Sequence, residues 1–350
     1  MKEKVVIGLS GGVDSSVAAY LLKEQGYEVL GVTMKLHGDV DPDAKRVADA
    51  LGIPFTVLDF TDDFNRYVVD NFAEEYAAGH TPNPCIQCNR YVKFGALLKY
   101  ADSVGAKYIA TGHYAQVVRL PNGRFTVKRA AFDKKDQTYA LYRLTQEQLS
   151  RTLMPVGIYD KEEIRAIAEK IGLDIAHKHD SQEICFIPDD DHGRFLTEYL
   201  GPRMPKPGSF VTADGKVLGT HKGIVYYTIG QRKGLDIAMG HPVYVTDIRP
   251  ERDEVVIGEN EDLFTCEVTG KDVVMMGTAS IDGEIRAAAK IRYGHKGAPC
   301  TVSMIAPDES SAGSGPRVRV VFDEPQRAVT KGQSVVVYDG DHILCGGIIE

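Results

Sequence analysis

Two hydrophobic periods divide this chain. In its first 200 residues, short apolar and β-branched runs at 5–9, 28–34, 55–59 and 108–110 are separated by stretches whose apolar side chains recur at helical spacing, at 17–22, 43–51 and 64–78. Runs without internal alternation suit strands buried on both faces, and strands that alternate with helices imply an α/β, doubly wound parallel sheet with ligands at its strands' carboxyl ends. Gly26, Gly52 and Gly172 stand where helices should stop, and Asp160 with Glu163 forms a capping-box pattern that opens a helix to about residue 171. From Gly201 the texture changes through Pro202-Arg203-Met204-Pro205-Lys206-Pro207-Gly208. Short alternating runs follow at 243–245, 255–257, 285–291, 301–305, 317–322 and 335–338, which suit antiparallel strands and, in the last third, a small C-terminal β-barrel. Residues 308–316, rich in glycine and serine, read as a hairpin loop. The expected division is 1–200, a small central domain at 201–270, and a barrel at 271–350.

Chemistry first appears where the first strand meets the first helix. Ser10-Gly11-Gly12-Val13-Asp14-Ser15-Ser16 joins Val5-Val6-Ile7-Gly8-Leu9 to an apolar helical run. Gly11 and Gly12 remove the Cβ atoms that keep a phosphate from the backbone, and the serines add hydroxyl donors beside the free N–H groups of a helix N-terminus. The loop is built for an anion. It lacks both a Gly-Lys-Ser/Thr ending and G-x-G-x-x-G spacing, which excludes two familiar phosphate loops. Met34 at the end of the second strand and Gly112 after the fourth should lie beside it.

Composition narrows the class. The chain has 350 residues, 43% hydrophobic and 26% charged, enough for two or three domains with real cores. No window is apolar enough to span a bilayer, and strand residues begin after Met1-Lys2-Glu3-Lys4, so the expectation is a cytoplasmic protein without a membrane partner. A net charge of -8 argues mildly against nucleic acid as a partner, although clustering of basic groups matters more than their sum. Six cysteines are too few for a disulfide scaffold.

Two of them stand in Thr81-Pro82-Asn83-Pro84-Cys85-Ile86-Gln87-Cys88-Asn89-Arg90. The prolines around Asn83 predict a rigid loop ahead of a helix beginning near Tyr91. The C-x-x-C pair is compatible with half a zinc site, a redox dithiol, a cluster ligand pair, a thiolate nucleophile activated by Arg90 or Lys93, or two buried thiols. Residues 116–143 carry Arg119, Arg124, Lys128, Arg129, Lys134, Lys135 and Arg143 interleaved with Phe125, Tyr139 and Tyr142, a pattern that suits a polyanion with bases to stack. Cys185 in its short apolar segment would by itself be core.

The anion loop resembles that of the ATP pyrophosphatase (PP-loop) superfamily, which cleaves ATP between the α and β phosphates. With Thr81-Pro82-Asn83-Pro84, Cys88-Asn89, Ala110-Thr111-Gly112-His113-Tyr114-Ala115, Lys135-Asp136-Gln137, residues 181–186, Ile229-Gly230-Gln231-Arg232-Lys233-Gly234 and Arg292-Tyr293, the whole chain resembles the tRNA-specific 2-thiouridylases. That resemblance implies ATP binding by Gly8, Leu9, Ser10, Gly11, Gly12, Val13, Asp14, Ser15, Met34 and Gly112. It implies approach of Asn83, Pro84 and Cys85 to the target base, and tRNA contacts from His113, Lys135, Asp136, Gln137, Arg292, Tyr293 and Gln333. Cys88 matches the family nucleophile and Cys185 the persulfide carrier. The implied reaction puts sulfur at C2 of the wobble uridine of lysine, glutamate and glutamine tRNAs. ATP supplies the leaving group, Mg²⁺ screens the phosphates with Asp14 as a candidate ligand, and a cysteine desulfurase or sulfur-relay protein provides the sulfur.

One position departs from the family pattern: Cys85 stands where many members carry aspartate. A thiol is a poor substitute for a carboxylate in proton transfer. Three thiols, Cys85, Cys88 and Cys185, also suggest a [4Fe-4S] cluster with one open iron as an alternative way to hold the sulfide. Two rival functions are a pyrophosphatase acting on a small molecule and a non-catalytic RNA-binding protein with structural ATP.

Overall fold

The computed structural model describes residues 2–175, 184–305 and 315–350. The expected hairpin loop lies outside them as far as residue 314, as do residues 181–183 of the segment that leads to Cys185.

Strands β1 (Lys4–Gly8), β2 (Glu28–Lys35), β3 (Phe55–Asp59) and β4 (Tyr108–Ala110) form a parallel sheet in the order β3-β2-β1-β4, extended beyond β4 by Thr152–Leu153. The sequence direction of the connections reverses between β1 and β4, so a crevice opens above their carboxyl ends. Val5, Val6 and Ile7 are all fully buried because both faces are covered. Val5 and Ile7 join one apolar core with helices α1 (Val13–Glu24) and α2 (Pro42–Leu51), while Val6 joins a second core with Phe94 and Leu97. The unbroken apolar run of β1 is thus the signature of a strand packed on two sides.

The loop expected to run to a helix near Tyr91 is non-helical only as far as Asn83. Helix begins at Pro84, runs as Pro84–Gln87, passes through a wider π turn at Cys88–Lys93, and continues as Phe94–Ser103. Proline at the first helical position loses no hydrogen bond, and the Asn83 side chain caps the end by accepting from the Cys85 N–H at 3.1 Å. Cys85 and Cys88 therefore sit on one helix, three residues apart, on neighbouring positions of its surface.

Beyond residue 200, four strands form a small sheet, Tyr244–Arg249, Glu254–Gly258, Gly208–Val211 and Val217–His221, over a core shared with Phe72, Ala73 and Tyr76 of the helix Asp70–Ala77. Six further antiparallel strands, from Phe264–Met275 to His342–Ile349, close on themselves because the first also pairs with the last. Closure pairs the first of these strands with the last as well as with its other neighbour. Its first strand begins at Phe264, ahead of the expected boundary at 270.

The hairpin of Ala115–Arg119 and Phe125–Arg129 leaves the parallel sheet and joins the barrel, with Lys128 in register with His342. This changes the reading of the basic stretch. Arg124 donates to the carbonyls of Met275 and Met276 at 2.7 and 2.9 Å, and the Arg129 guanidinium lies 4.7 Å from the Tyr338 ring centroid. Tyr139 and Tyr142 are fully buried in the core with Val336, Tyr338 and Ile343. Burial of such a ring is worth about 2–3 kcal/mol, more than an exposed stacking platform would return to the fold. These tyrosines serve packing rather than an exposed stacking platform.

Candidate functional site

The anion loop crosses from β1 to α1 with its own hydroxyls folded inward. The Ser15 hydroxyl accepts the Ser10 N–H at 3.2 Å and donates to the Gly12 carbonyl at 3.1 Å; Ser16 donates to the same carbonyl at 2.8 Å. Ser10 receives the Gly12 N–H at 3.3 Å. These bonds fix the loop's shape, leaving backbone N–H groups at the start of a 12-residue helix to face an anion. Gly11 has φ +75°, and a Cβ there would come within 2.8 Å of Asp41 Cγ. At Gly112 a Cβ would lie 2.6 Å from the Ser15 backbone nitrogen, so the turn after β4 touches the loop directly. Met34, half-buried at the end of β2, reaches toward Gly8.

Asp14 is the second residue of α1. Its Oδ1 accepts from the Tyr114 hydroxyl at 2.7 Å and from the Lys161 ammonium at 2.8 Å. Tyr114 is in turn held by Gln137, whose side-chain oxygen accepts the Tyr114 N–H at 2.8 Å and whose own N–H donates to the Tyr114 carbonyl at 3.0 Å. Lys161 opens the helix Lys161–Lys170, capped as expected by Asp160 and Glu163. Lys161 did not stand out in the sequence, and Tyr114 did so only as part of the string from Ala110 to Ala115. The capping box located the helix start but could not say that it faces the anion loop.

The sulfur chemistry gathers around Lys93. Cys88 is buried, whereas Cys85 and Cys185 are exposed. Burial pushes the Cys88 thiol up to about 11; the Lys93 ammonium pulls it down, and Cys185 and Cys85 push it up. Although its side chain reaches the surface, the surrounding protein strips enough water from the Cys185 thiol to raise its pKa, again against the pull of Lys93. Desolvation works against the Lys93 charge, yet Cys88, Cys85 and Cys185 together hold its pKa above the ordinary value. The three thiols and one cation therefore share a single electrostatic neighbourhood. Arg90, the other cation weighed from sequence, responds instead to burial and to Arg143.

His113 connects this neighbourhood to the anion loop, since it follows Gly112 and is also influenced by Lys93. Burial, then Lys93, depress its imidazole to about 3, so it is neutral at physiological pH. Its Nδ1 lies 2.9 Å from the Thr111 hydroxyl, and its ring stacks on Phe94 with centroids 5.9 Å apart.

From the barrel, Tyr293 comes close to the same place: it is half exposed, and burial, Asp136 and Cys85, in that order, raise its phenol pKa. Arg292 is exposed and donates to the Arg327 carbonyl at 3.0 Å. Gln333 donates to the Thr81 carbonyl at 2.8 Å and so pins the Thr81-Pro82-Asn83 approach to the barrel. Lys135 is half-buried at the end of the turn Asp133–Lys135. Asp136 is turned inward, accepting from the Ala130 N–H at 3.3 Å and the Thr138 hydroxyl at 2.7 Å, with Lys290 at 3.9 Å. A carboxylate so engaged positions the loop around it.

Among the described residues, no three His, Cys, Asp or Glu side chains converge closely enough to hold a metal ion. The alternative of a [4Fe-4S] cluster thus finds no ligand set among the described residues. Mg²⁺ has lesser needs: carried by nucleotide phosphates and water, it requires one or two protein carboxylates, and Asp14 fits that role. Among the described residues, no helix is long and apolar enough to cross a membrane.

Three family models match in succession: a tRNA methyl transferase HUP domain over residues 3–189, a tRNA methyl transferase PRC-barrel domain over 193–259, and an aminomethyltransferase β-barrel domain over 265–349. The chain is 52% identical to the tRNA-specific 2-thiouridylase MnmA of Lachnoclostridium phytofermentans, over 99% of each chain. It is 53% identical to that of Clostridium perfringens and 50% identical to that of Clostridioides difficile, in each case over 100% of this chain and 99% of the relative.

Proposed function

Since the chain belongs to the family of tRNA-specific 2-thiouridylases, we propose that it uses ATP to replace the C2 oxygen of the wobble uridine by sulfur in lysine, glutamate and glutamine tRNAs. The observation that carries this reading is the Lys93 neighbourhood: three thiols share one cation with His113, whose neighbour Gly112 lies against the anion loop. Activated substrate and soft nucleophile would then meet without a long transfer. The domain models speak of methyl transfer, but an anion loop together with three thiols that share one cation favours ATP and sulfur chemistry.

In the proposed sequence, Gly8 to Ser15, with Met34 and Gly112, hold ATP. The uridine O2 attacks the α-phosphorus and pyrophosphate leaves. Mg²⁺ bound through Asp14 would supply charge neutralisation at the phosphates, and Lys161 adds a fixed cation beside that carboxylate. Asn83, Pro84 and Cys85 approach the base, which must leave its stack to be reached. A cysteine desulfurase or a relay protein loads the exposed Cys185 with a sulfane sulfur. The terminal sulfur of this persulfide attacks C2, and AMP departs with the former oxygen. Cys88 as thiolate then attacks Cys185 Sγ; the bond to the transferred sulfur breaks, its electron pair stays on the 2-thio group, and a Cys88–Cys185 disulfide remains. Two electrons from an external thiol reset the enzyme. Lys93 favours the Cys88 thiolate and also acts on the neutral His113, whose ring lies on Phe94. Residues 1–200 carry this chemistry, while 201–270 and 271–350 grip tRNA, with Lys135, Arg292, Tyr293 and Gln333 at the meeting face.

AMP release with and without tRNA tests this reading, together with mass spectrometry of tRNA nucleosides. tRNA-dependent AMP and new 2-thiouridine are expected. AMP release that depends on a small molecule would favour a synthetase, and tRNA binding without AMP would favour a non-catalytic binder.

A further inference from the structure

The turn after β4 ends on Tyr114, immediately ahead of the strand Ala115–Arg119. Its side chain is buried in the core that also holds Val13 and Val17 of α1. A phenol buried this far needs a partner for its hydroxyl, and here the partner is a carboxylate, Asp14 Oδ1 at 2.7 Å. Hydrogen bonds to an ionised acceptor are roughly twice as strong as those between neutral groups. Lys161 donates to the same oxygen at 2.8 Å, so one ring and one ammonium together set how the carboxylate is turned. The packed ring is the stiffer of the two, because the lysine reaches the oxygen on a flexible stem.

The backbone of Tyr114 is fixed as firmly as its ring. Gln137 grips both polar groups of that residue: its side-chain oxygen accepts the Tyr114 N–H at 2.8 Å, and its own N–H donates to the Tyr114 carbonyl at 3.0 Å. The segment that carries Gln137 is anchored in turn. Its neighbour Asp136 accepts from the Ala130 N–H and the Thr138 hydroxyl, and lies 3.9 Å from Lys290 of the barrel with both side chains at most 9% exposed. A connected path of packed polar groups therefore runs from the barrel through residues 136–137 and Tyr114 to the head of α1.

We propose that Tyr114 and Gln137 are positioning residues of the nucleotide site: the Tyr114 hydroxyl sets the orientation of the Asp14 carboxylate, the group that would hold Mg²⁺, and the Gln137 clasp holds Tyr114 in place. The proposal rests on the reading of the anion loop as an ATP site with Asp14 as a metal ligand. It adds two residues that act through Asp14 rather than on the nucleotide. Gln137, for which the family resemblance implies a tRNA contact, thereby serves ATP as well.

Titration calorimetry tests this by measuring ATP binding to the full chain without RNA, once with Mg²⁺ and once with a chelator. The variants are Tyr114→Phe, Gln137→Met and Gln137→Glu, with Tyr114→Phe repeated in an Asp14→Asn background. With Mg²⁺, Tyr114→Phe and Gln137→Met should each bind ATP roughly tenfold more weakly, the effect of one lost hydrogen bond to a charged group. Gln137→Glu keeps the acceptor for the Tyr114 N–H and should bind like the unmodified chain. With the chelator, Tyr114→Phe should match the unmodified chain, and in the Asp14→Asn background it should have no further effect. Unchanged binding by Tyr114→Phe in Mg²⁺, an equal loss under both conditions, or a loss that persists in Asp14→Asn would overturn the proposal and leave the ATP site standing. An unmodified chain that binds no ATP under either condition would overturn both.

Discussion

Asp14 and Lys161 are 147 positions apart in sequence and 2.8 Å apart in the fold, where the ammonium meets the carboxylate at the head of α1. Both are partly shielded, with side chains 29% and 12% exposed, so the pair exceeds an ordinary surface contact in worth. Removing the cation leaves a carboxylate facing the phosphates of ATP. Lys161→Met should raise the KM for ATP in AMP release at least tenfold, with Lys161→Arg intermediate. An unchanged KM would show that the pair is merely structural.

At Gly112 the constraint is spatial. An added methyl group would meet the backbone of Asp14 and Ser15 at 2.6–2.9 Å, and neither can rotate away as a flexible side chain can. Gly112→Ala should cost about 1–3 kcal/mol in thermal unfolding and weaken ATP binding at least tenfold. Titration calorimetry with ATP and a melting curve measure the two effects separately.

For Cys88 the sign of the pH dependence follows from its raised pKa. A thiol at about 11 is almost wholly protonated at pH 7, so the fraction of reactive thiolate grows about tenfold per pH unit up to that value. Alkylation of Cys88, followed by peptide mass spectrometry, should therefore accelerate steadily from pH 7 to pH 10. Lys93→Met removes the group that lowers this pKa and should slow the reaction at each pH. A rate that levels off near pH 8 would contradict the burial of Cys88.

The thiols should also separate by role. Cys88→Ala and Cys185→Ala are each expected to abolish 2-thiouridine in tRNA while ATP binding survives. Cys85→Asp, which restores the residue common in the family, should retain product. Protein purified without oxygen should support thiolation without stoichiometric iron; activity that tracks iron content would reinstate the cluster.

What could be read from the sequence was local. The strand–loop–helix unit at 5–22 follows from contiguous residues, as does the capping box at Asp160, and the structure has both. Pro84 misled because a proline that breaks a helix interior is well tolerated at its first position, and only the Asn83 cap decides between the two. Lys93 was legible as a candidate partner of the Cys88 thiol because it stands five residues on in the same helix, whereas Lys161 was not legible as the partner of Asp14, since that role comes from packing between distant segments. Within the basic stretch at 116–143 the stacking role of Tyr139 and Tyr142 was misjudged because aromaticity is visible in a string of letters, whereas the barrel that covers these rings is built about 200 residues later.

That last packing has a consequence for synthesis. The ribosome releases the anion loop first, but the core that supports the sheet beneath it includes Val336, Tyr338 and Ile343, and the hairpin at 115–129 has its strand partner only when His342 emerges. Until then the nascent chain carries an open sheet edge and uncovered tyrosines, both of which invite association with other chains. Completion of the C-terminus is therefore the event that makes the N-terminal nucleotide site durable. A truncated product should be a substrate for chaperones and proteases long before it could bind ATP.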